Sequence, residues 1–169
     1  GGEGNDTFNG NNGDDHLDGG VGNDKLYGGN GDDTYVYGKG YGNDIINDSN
    51  GKNKIIFNEL KSSDVYVEYP STGNNAILHV IGSDDTLTLE SFRYSSYYRN
   101  FTLVFKDKTV GVAEAGSPFL NIRGTKDDES IPMFFGGGSA YGLEGNDTIN
   151  GTSGADKIYG GEGNDKFNG

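Results

Sequence analysis

Large apolar residues return at every ninth position over the first thirty-six residues: Phe8, Leu17, Leu26 and Tyr35. Their neighbours alternate with them, as in Thr7-Phe8-Asn9 and Lys25-Leu26-Tyr27, so each unit offers a three-residue strand with one side chain facing inward. After Val36 the phase slips by two residues, and Ile46 takes the apolar position of a degenerate fifth unit, Lys39 to Asn47. The same period returns near the other end with Ile149, Ile158 and Phe167.

Between these stretches the pattern changes to longer β-type runs. Lys54-Ile55-Ile56-Phe57 and Val65-Tyr66-Val67-Glu68-Tyr69 read as strands, the second closed by Pro70. Ala76 to Ile81 and Thr86 to Leu89, joined by Gly82-Ser83-Asp84-Asp85, predict a hairpin. Phe101 to Phe105 and Thr109 to Val112 predict a second, and Glu90 to Asn100 between them reads as a loop. Ser117-Pro118 marks a boundary, giving three parts: residues 1–48, 49–120 and 121–169. A sheet of about seventy residues is marginal alone. The middle part is therefore expected to lean on the first and to cover its open end.

The remaining positions of the nine-residue unit carry the chemistry. GGEGNDTFN, GNNGDDHLD, GGVGNDKLY and GGNGDDTYV all place Gly first, Gly fourth and Asp sixth. The glycines permit φ > 0 and tight turns. Such turns aim backbone carbonyls at a common centre, to which the sixth-position carboxylate adds its charge. Oxygen donors without Cys or His form the ligand set of a hard cation, and six to eight oxygens suit Ca²⁺ better than Mg²⁺. Turn, strand, turn, strand makes a flattened right-handed coil with two units per turn, so equivalent turns lie eighteen residues apart. Asp6 then shares an ion with Asp24, and Asp15 with Asp33 on the opposite edge; Asp44 of the fifth unit joins Asp24. In the last third, Gly124 to Pro132 has Glu129 in the acid's place, and Met133 to Tyr141 has Gly138 there and is expected to hold no proper ion. GLEGNDTIN, GTSGADKIY and GGEGNDKFN restore the pattern, pairing Asp147 with Asp165. Asp156 needs the neighbourhood of Glu129, or a unit beyond Gly169. The carbonyl ligands fall at Gly1, Glu3, Gly10, Asn12, Gly19, Val21, Gly28, Asn30, Gly142, Glu144, Gly151, Ser153, Gly160 and Glu162.

The unit GGxGxDxUx resembles the RTX (repeats-in-toxin) haemolysin-type calcium-binding nonapeptide of bacterial proteins exported by type I secretion. That resemblance implies an all-β fold: two parallel β-roll blocks with a small antiparallel β flanking region between them, which caps the roll and helps it nucleate. It implies several bound Ca²⁺ ions, the type I secretion machinery as partner of the parent protein, and a secreted or cell-surface location in a toxin, adhesin or exoenzyme. In such proteins the catalytic parts lie outside the repeats. One buried apolar side chain per unit is little to set against the entropy of ordering nine residues. Calcium is therefore expected to supply the difference and to trigger folding outside the cell.

Composition agrees. The chain has 31 Gly among 169 residues and a net charge of −13, which argues against nucleic acid or an anionic membrane surface as partner. No Cys excludes disulfides and zinc–thiolate sites, and no apolar run of eighteen residues occurs. The chain opens and closes within a unit and is expected to be part of a longer protein. Catalytic constellations are poor: His16 takes an outward slot, His79 lies in a strand, and Gly137-Gly138-Ser139-Ala140-Tyr141 lacks the closing Gly of a G-x-S-x-G elbow. The segment is thus not expected to be an enzyme. A competing reading is an adhesive module, with Tyr94, Tyr97 and Tyr98 beside Arg93 and Arg99 as a surface for glycan or protein. Their packing on the roll is the plainer explanation.

Overall fold

Successive strands stack because equal side chains fall in register. The computed structural model of the protein describes residues 1–70, 72–94, 99–133 and 135–169. Its first coils alternate between two faces. On one lie β2 (Thr7–Asn12), β5 (Lys25–Asn30) and β7 (Asn43–Asn47); on the other lie β3 (His16–Asp18), β6 (Thr34–Gly38) and β8 (Asn53–Asn58). Every neighbour within a face is parallel, as a coil in one sense requires. Two-residue strands β1 (Gly2–Glu3) and β4 (Gly20–Val21) pair along the turns.

Inward side chains form ladders through the strands. Phe8 stands opposite Leu26, Leu26 opposite Ile46, and Ile46 opposite Leu89. On the other face Leu17, Tyr35, Ile55 and Leu103 are aligned in the same way. The first step of each ladder is eighteen residues and the second is twenty, so the two-residue slip after Val36 is absorbed in the turns. Strand β8 was read from sequence as part of the flank. It is a sixth coil half instead, with Asn53 in the acid's position.

The all-β, parallel-roll architecture is as expected, and both hairpins are present. Strands β10 (Ala76–Val80) and β11 (Thr86–Leu89) are antiparallel, as are β12 (Phe101–Val104) and β13 (Thr109–Gly111). Their attachment differs from that of a cap. Strand β11 adds in parallel to β7, and β12 adds in parallel to β8. Each hairpin thus extends one face of the roll. Strand β9 (Val65–Glu68) then joins β10 antiparallel to β14 (Asn121–Arg123) in parallel. Beyond it come β16 (Ser139–Glu144) and β18 (Lys157–Glu162), so one nine-stranded sheet runs from β2 to β18. Opposite this far end, β15 (Ser130–Pro132), β17 (Thr148–Asn150) and β19 (Lys166–Asn168) form a three-stranded sheet.

The middle strands have wider inward faces than the repeat strands. Strand β8 buries Ile55 and Phe57, and β10 buries Ala76, Leu78 and Val80. Phe57 stacks on Phe105 at 4.3 Å between ring centres, and Phe92 on Phe119 at 4.7 Å. Leu103 is fully buried where the second hairpin meets the roll. Leu103→Ala is expected to destabilise the protein by about 2–5 kcal/mol in urea denaturation, and to weaken the first coils along with the hairpin.

Candidate metal centres in the turns

The turns are shaped by fourth-position glycines whose backbones touch the next coil. Gly22, at φ 151°, is packed so closely that an added Cβ would lie on the carbonyl of Gly4. Beside these glycines runs a ladder of fifth-position amides: Asn5 Oδ1 accepts from Asn23 N–H, and Asn23 Oδ1 from Asn43 N–H.

The sixth-position carboxylates form a second ladder of opposite sense. Asp24 Oδ1 accepts from Asp6 N–H at 2.7 Å, and Asp44 Oδ1 from Asp24 N–H at 2.9 Å. On the other edge Asp33 Oδ1 accepts from Asp15 N–H at 2.8 Å, and Asn53 Oδ1 from Asp33 N–H at 2.9 Å. In the far roll, Asp147 and Asp165 accept from Glu129 and Asp147 N–H, both at 3.0 Å. Asp24, Asp33, Asp44, Asp147 and Asp165 each spend Oδ1 on the preceding coil. Oδ2 of Asp15, Asp24, Asp33, Asp44 and Asp147 is buried without a hydrogen bond.

In the units led by glycine, what these oxygens face is a gap that a side chain at the first position would fill. A Cβ built on Gly10 would fall against Asp15 Oδ2 and the Gly28 carbonyl. One on Gly142 would fall against Asp147 Oδ2 and the Gly160 carbonyl. A carboxylate oxygen and a carbonyl oxygen of the next coil thus converge on one point. Uncompensated, the arrangement costs free energy, because a buried anion without donor or counter-charge is poorly solvated. Burial, reinforced by the charges of Asp24, Asp18 and Asp85, pushes Asp44 up from 3.8 to about 7. Burial also raises Asp147, with Glu129 and Asp165 adding to the effect. Among the described residues no three His, Cys, Asp or Glu side chains converge, so a cation here draws most of its ligands from carbonyls. The donor set is all oxygen, which fits calcium.

Asp6 and Asp24, Asp24 and Asp44, Asp15 and Asp33, and Asp147 and Asp165 stand next to one another along their edges, each pair joined by an N–H to Oδ1 hydrogen bond. Of the two alternatives for Asp156, the neighbourhood of Glu129 is ruled out. Glu129 stands on the edge of Asp147, whereas Asp156 Oδ1 accepts from Gly137 N–H on the opposite edge. Of the carbonyls, those of Gly19, Gly28, Gly142 and Gly160 face the gaps; Val21 and Asn30 carbonyls accept from Gly4 and Gly13 N–H. Glu3, Asn12, Glu144, Ser153 and Glu162 lie exposed along the edges.

Sequence reasoning missed Asn53 and Asp48. The signal for Asn53 was Gly51-Lys52-Asn53-Lys54-Ile55, a unit core with Asn for Asp, hidden by the twenty-residue spacing. Asp48 is buried beneath it and accepts from the Tyr35 hydroxyl at 2.6 Å. The tyrosine surface is only partly described. Tyr94 is 73% exposed, while Tyr97 and Tyr98 lie outside the described residues. The Arg93 guanidinium donates to the Pro70 and Gly73 carbonyls, which ties it into the local fold. His79 is likewise engaged, with Glu68 at 2.8 Å and Tyr66 stacked on its ring. No described helix is long and apolar enough to cross a membrane.

Asp44 gives a pH dependence whose sign follows from its environment. Its folded-state pKa lies above the unfolded value, so without metal the folded chain holds the proton more tightly. The fold is then favoured at low pH and loses stability as pH rises from about 4 through about 7. In chelator, the β-sheet circular dichroism signal is expected to grow as pH is lowered from about 8 to about 5.

Comparison with known proteins bears on the two ends of the chain. Residues 1–35 and 141–169 match the family described as RTX calcium-binding nonapeptide repeat, in 4 copies. No curated protein matches the chain. The unmatched middle is where the hairpins interrupt the coil and where Glu129 and Gly138 replace aspartate. Turns at which a carboxylate and a carbonyl oxygen converge, such as those of Gly10 and Gly142, lie at the two ends of the chain that match the RTX calcium-binding nonapeptide repeat.

Proposed function

We propose that this chain is a calcium-responsive folding segment of a secreted bacterial protein, disordered at low calcium and folded after type I export into millimolar external calcium. The observation that carries this reading is the row of buried, donorless Oδ2 atoms facing carbonyl oxygens across glycine gaps. Such a row is unfavourable without a cation and favourable with one, so binding free energy becomes folding free energy. Ions sit between Asp6 and Asp24, Asp24 and Asp44, Asp15 and Asp33, and Asp147 and Asp165, completed by first- and third-position carbonyls. Magnesium serves poorly, because it demands a tight octahedron and gives up its waters reluctantly. The segment itself catalyses nothing. Its two histidines are an exposed His16 and a His79 held by Glu68.

A calcium titration followed by far-ultraviolet circular dichroism tests this directly. A cooperative rise in β-sheet at sub-millimolar to millimolar calcium, not reproduced by magnesium, is the expected result. A chain equally folded in chelator contradicts it. Gly142→Ala places a methyl group on Asp147 Oδ2, and is expected to move the midpoint to higher calcium with an overpacking cost of about 1–3 kcal/mol.

A further inference from the structure

Among the units from Gly10 onward, two kinds of turn closure recur, and they differ at the second position. In the units led by Gly10, Gly19, Gly28, Lys39, Gly142 and Gly160, the second residue has positive φ: Asn11 at 72°, Gly20 at 93°, Gly29 at 105°, Gly40 at 85°, Leu143 at 83° and Gly161 at 110°. Leu143 is the telling member, since a leucine enters this region only under constraint. In five of these six units, all but that of Gly160, the carboxylate Oδ2 is buried without a donor.

Two units carry Thr at this position, and neither Thr is among the residues of positive φ. A β-branched side chain resists that region. The backbone turns over, and the threonine donates into its own unit's carboxylate. Thr125 N–H reaches Glu129 Oε2 at 2.7 Å, and its hydroxyl reaches Oε1 at 2.6 Å. Thr152 N–H reaches Asp156 Oδ2 at 2.7 Å, and its hydroxyl lies 2.9 Å from the same oxygen. Asp156 Oδ1 takes a further hydrogen bond from Gly137 N–H at 3.0 Å. Both oxygens of each acid thereby have a donor; Glu129 Oε2 still lies beside the Gly142 carbonyl at the Gly124 gap, but it is held there by Thr125 N–H.

We infer that Thr125 and Thr152 stand in for the cation in their own turns, so that Glu129 and Asp156 bind no calcium while Asp147, between the two in sequence, does. A hydroxyl and an amide dipole aimed at a carboxylate stabilise it without full charge neutralisation. An ion would have to break these bonds and return the second residue to positive φ. The two threonine turns therefore lie on opposite edges of the far roll: Glu129 begins the edge on which Asp147 and Asp165 follow and depend on metal, and Asp156 lies on the other. This inference rests on the calcium reading above but concerns which turns use it.

Isothermal titration calorimetry of the full chain with calcium chloride tests it, with circular dichroism at saturating calcium to verify folding. Asp156→Asn is expected to leave the number of bound ions unchanged, whereas Asp147→Asn loses at least a single ion. Thr152→Gly removes the hydroxyl and frees the backbone, and is expected to gain a single ion over the natural chain; Thr152→Ser gains none. If Asp156→Asn loses an ion as Asp147→Asn does, or a folded Thr152→Gly gains none, the inference is overturned while calcium binding stands. A natural chain that takes up no calcium overturns both.

Discussion

The structure turns on a carboxylate oxygen with nothing to hold. In Asp24, Asp33, Asp44 and Asp147, Oδ1 accepts from the backbone of the preceding coil, and that bond fixes Oδ2 inside the turn, buried and without a donor. Hydrogen bonding to one oxygen thus creates the electrostatic problem at the other. Repeated coil after coil in a chain of net charge −13, the problem is cumulative. Glycine at the first position leaves room for a solution, because any side chain there would fill the gap. A divalent cation is the solution that the oxygen set favours.

The middle of the chain solves the same stacking problem with apolar burial. A repeat strand such as β3 buries one side chain, Leu17, whereas β11 buries both Leu87 and Leu89 and β8 buries Ile55 and Phe57. Aromatic pairs, Phe57 with Phe105 and Phe92 with Phe119, fill the wider interior. Where the acid is lost, at Asn53, the apolar ladder of Tyr35, Ile55 and Leu103 carries the coil onward. The hairpins can therefore join the roll strand to strand, and a single nine-stranded sheet links its two ends.

Much of this was legible in the sequence because the repeat couples chemistry to period. One nine-residue spacing places Phe8, Leu17, Leu26 and Tyr35 inward and Asp6, Asp15, Asp24 and Asp33 at the edges, so strands and ligand candidates are read together. The hairpins were legible from turn residues, but their partners were not. Parallel pairing of β11 with β7 depends on contacts across forty-three residues, which no local pattern encodes. Asn53 was hidden by two extra residues in its coil. Placing Asp156 near Glu129 counts acids without following edges: alternate units lie on opposite sides, so Glu129 and Asp156 do not meet.

The central claim is that a cation at the aspartate ladder holds the repeat coils together, and amide hydrogen exchange with and without calcium tests it most directly. The account predicts that amides of β2, β5, β16 and β18 are protected in calcium and exchange freely in chelator. Protection of these strands that is unchanged by chelator would contradict it.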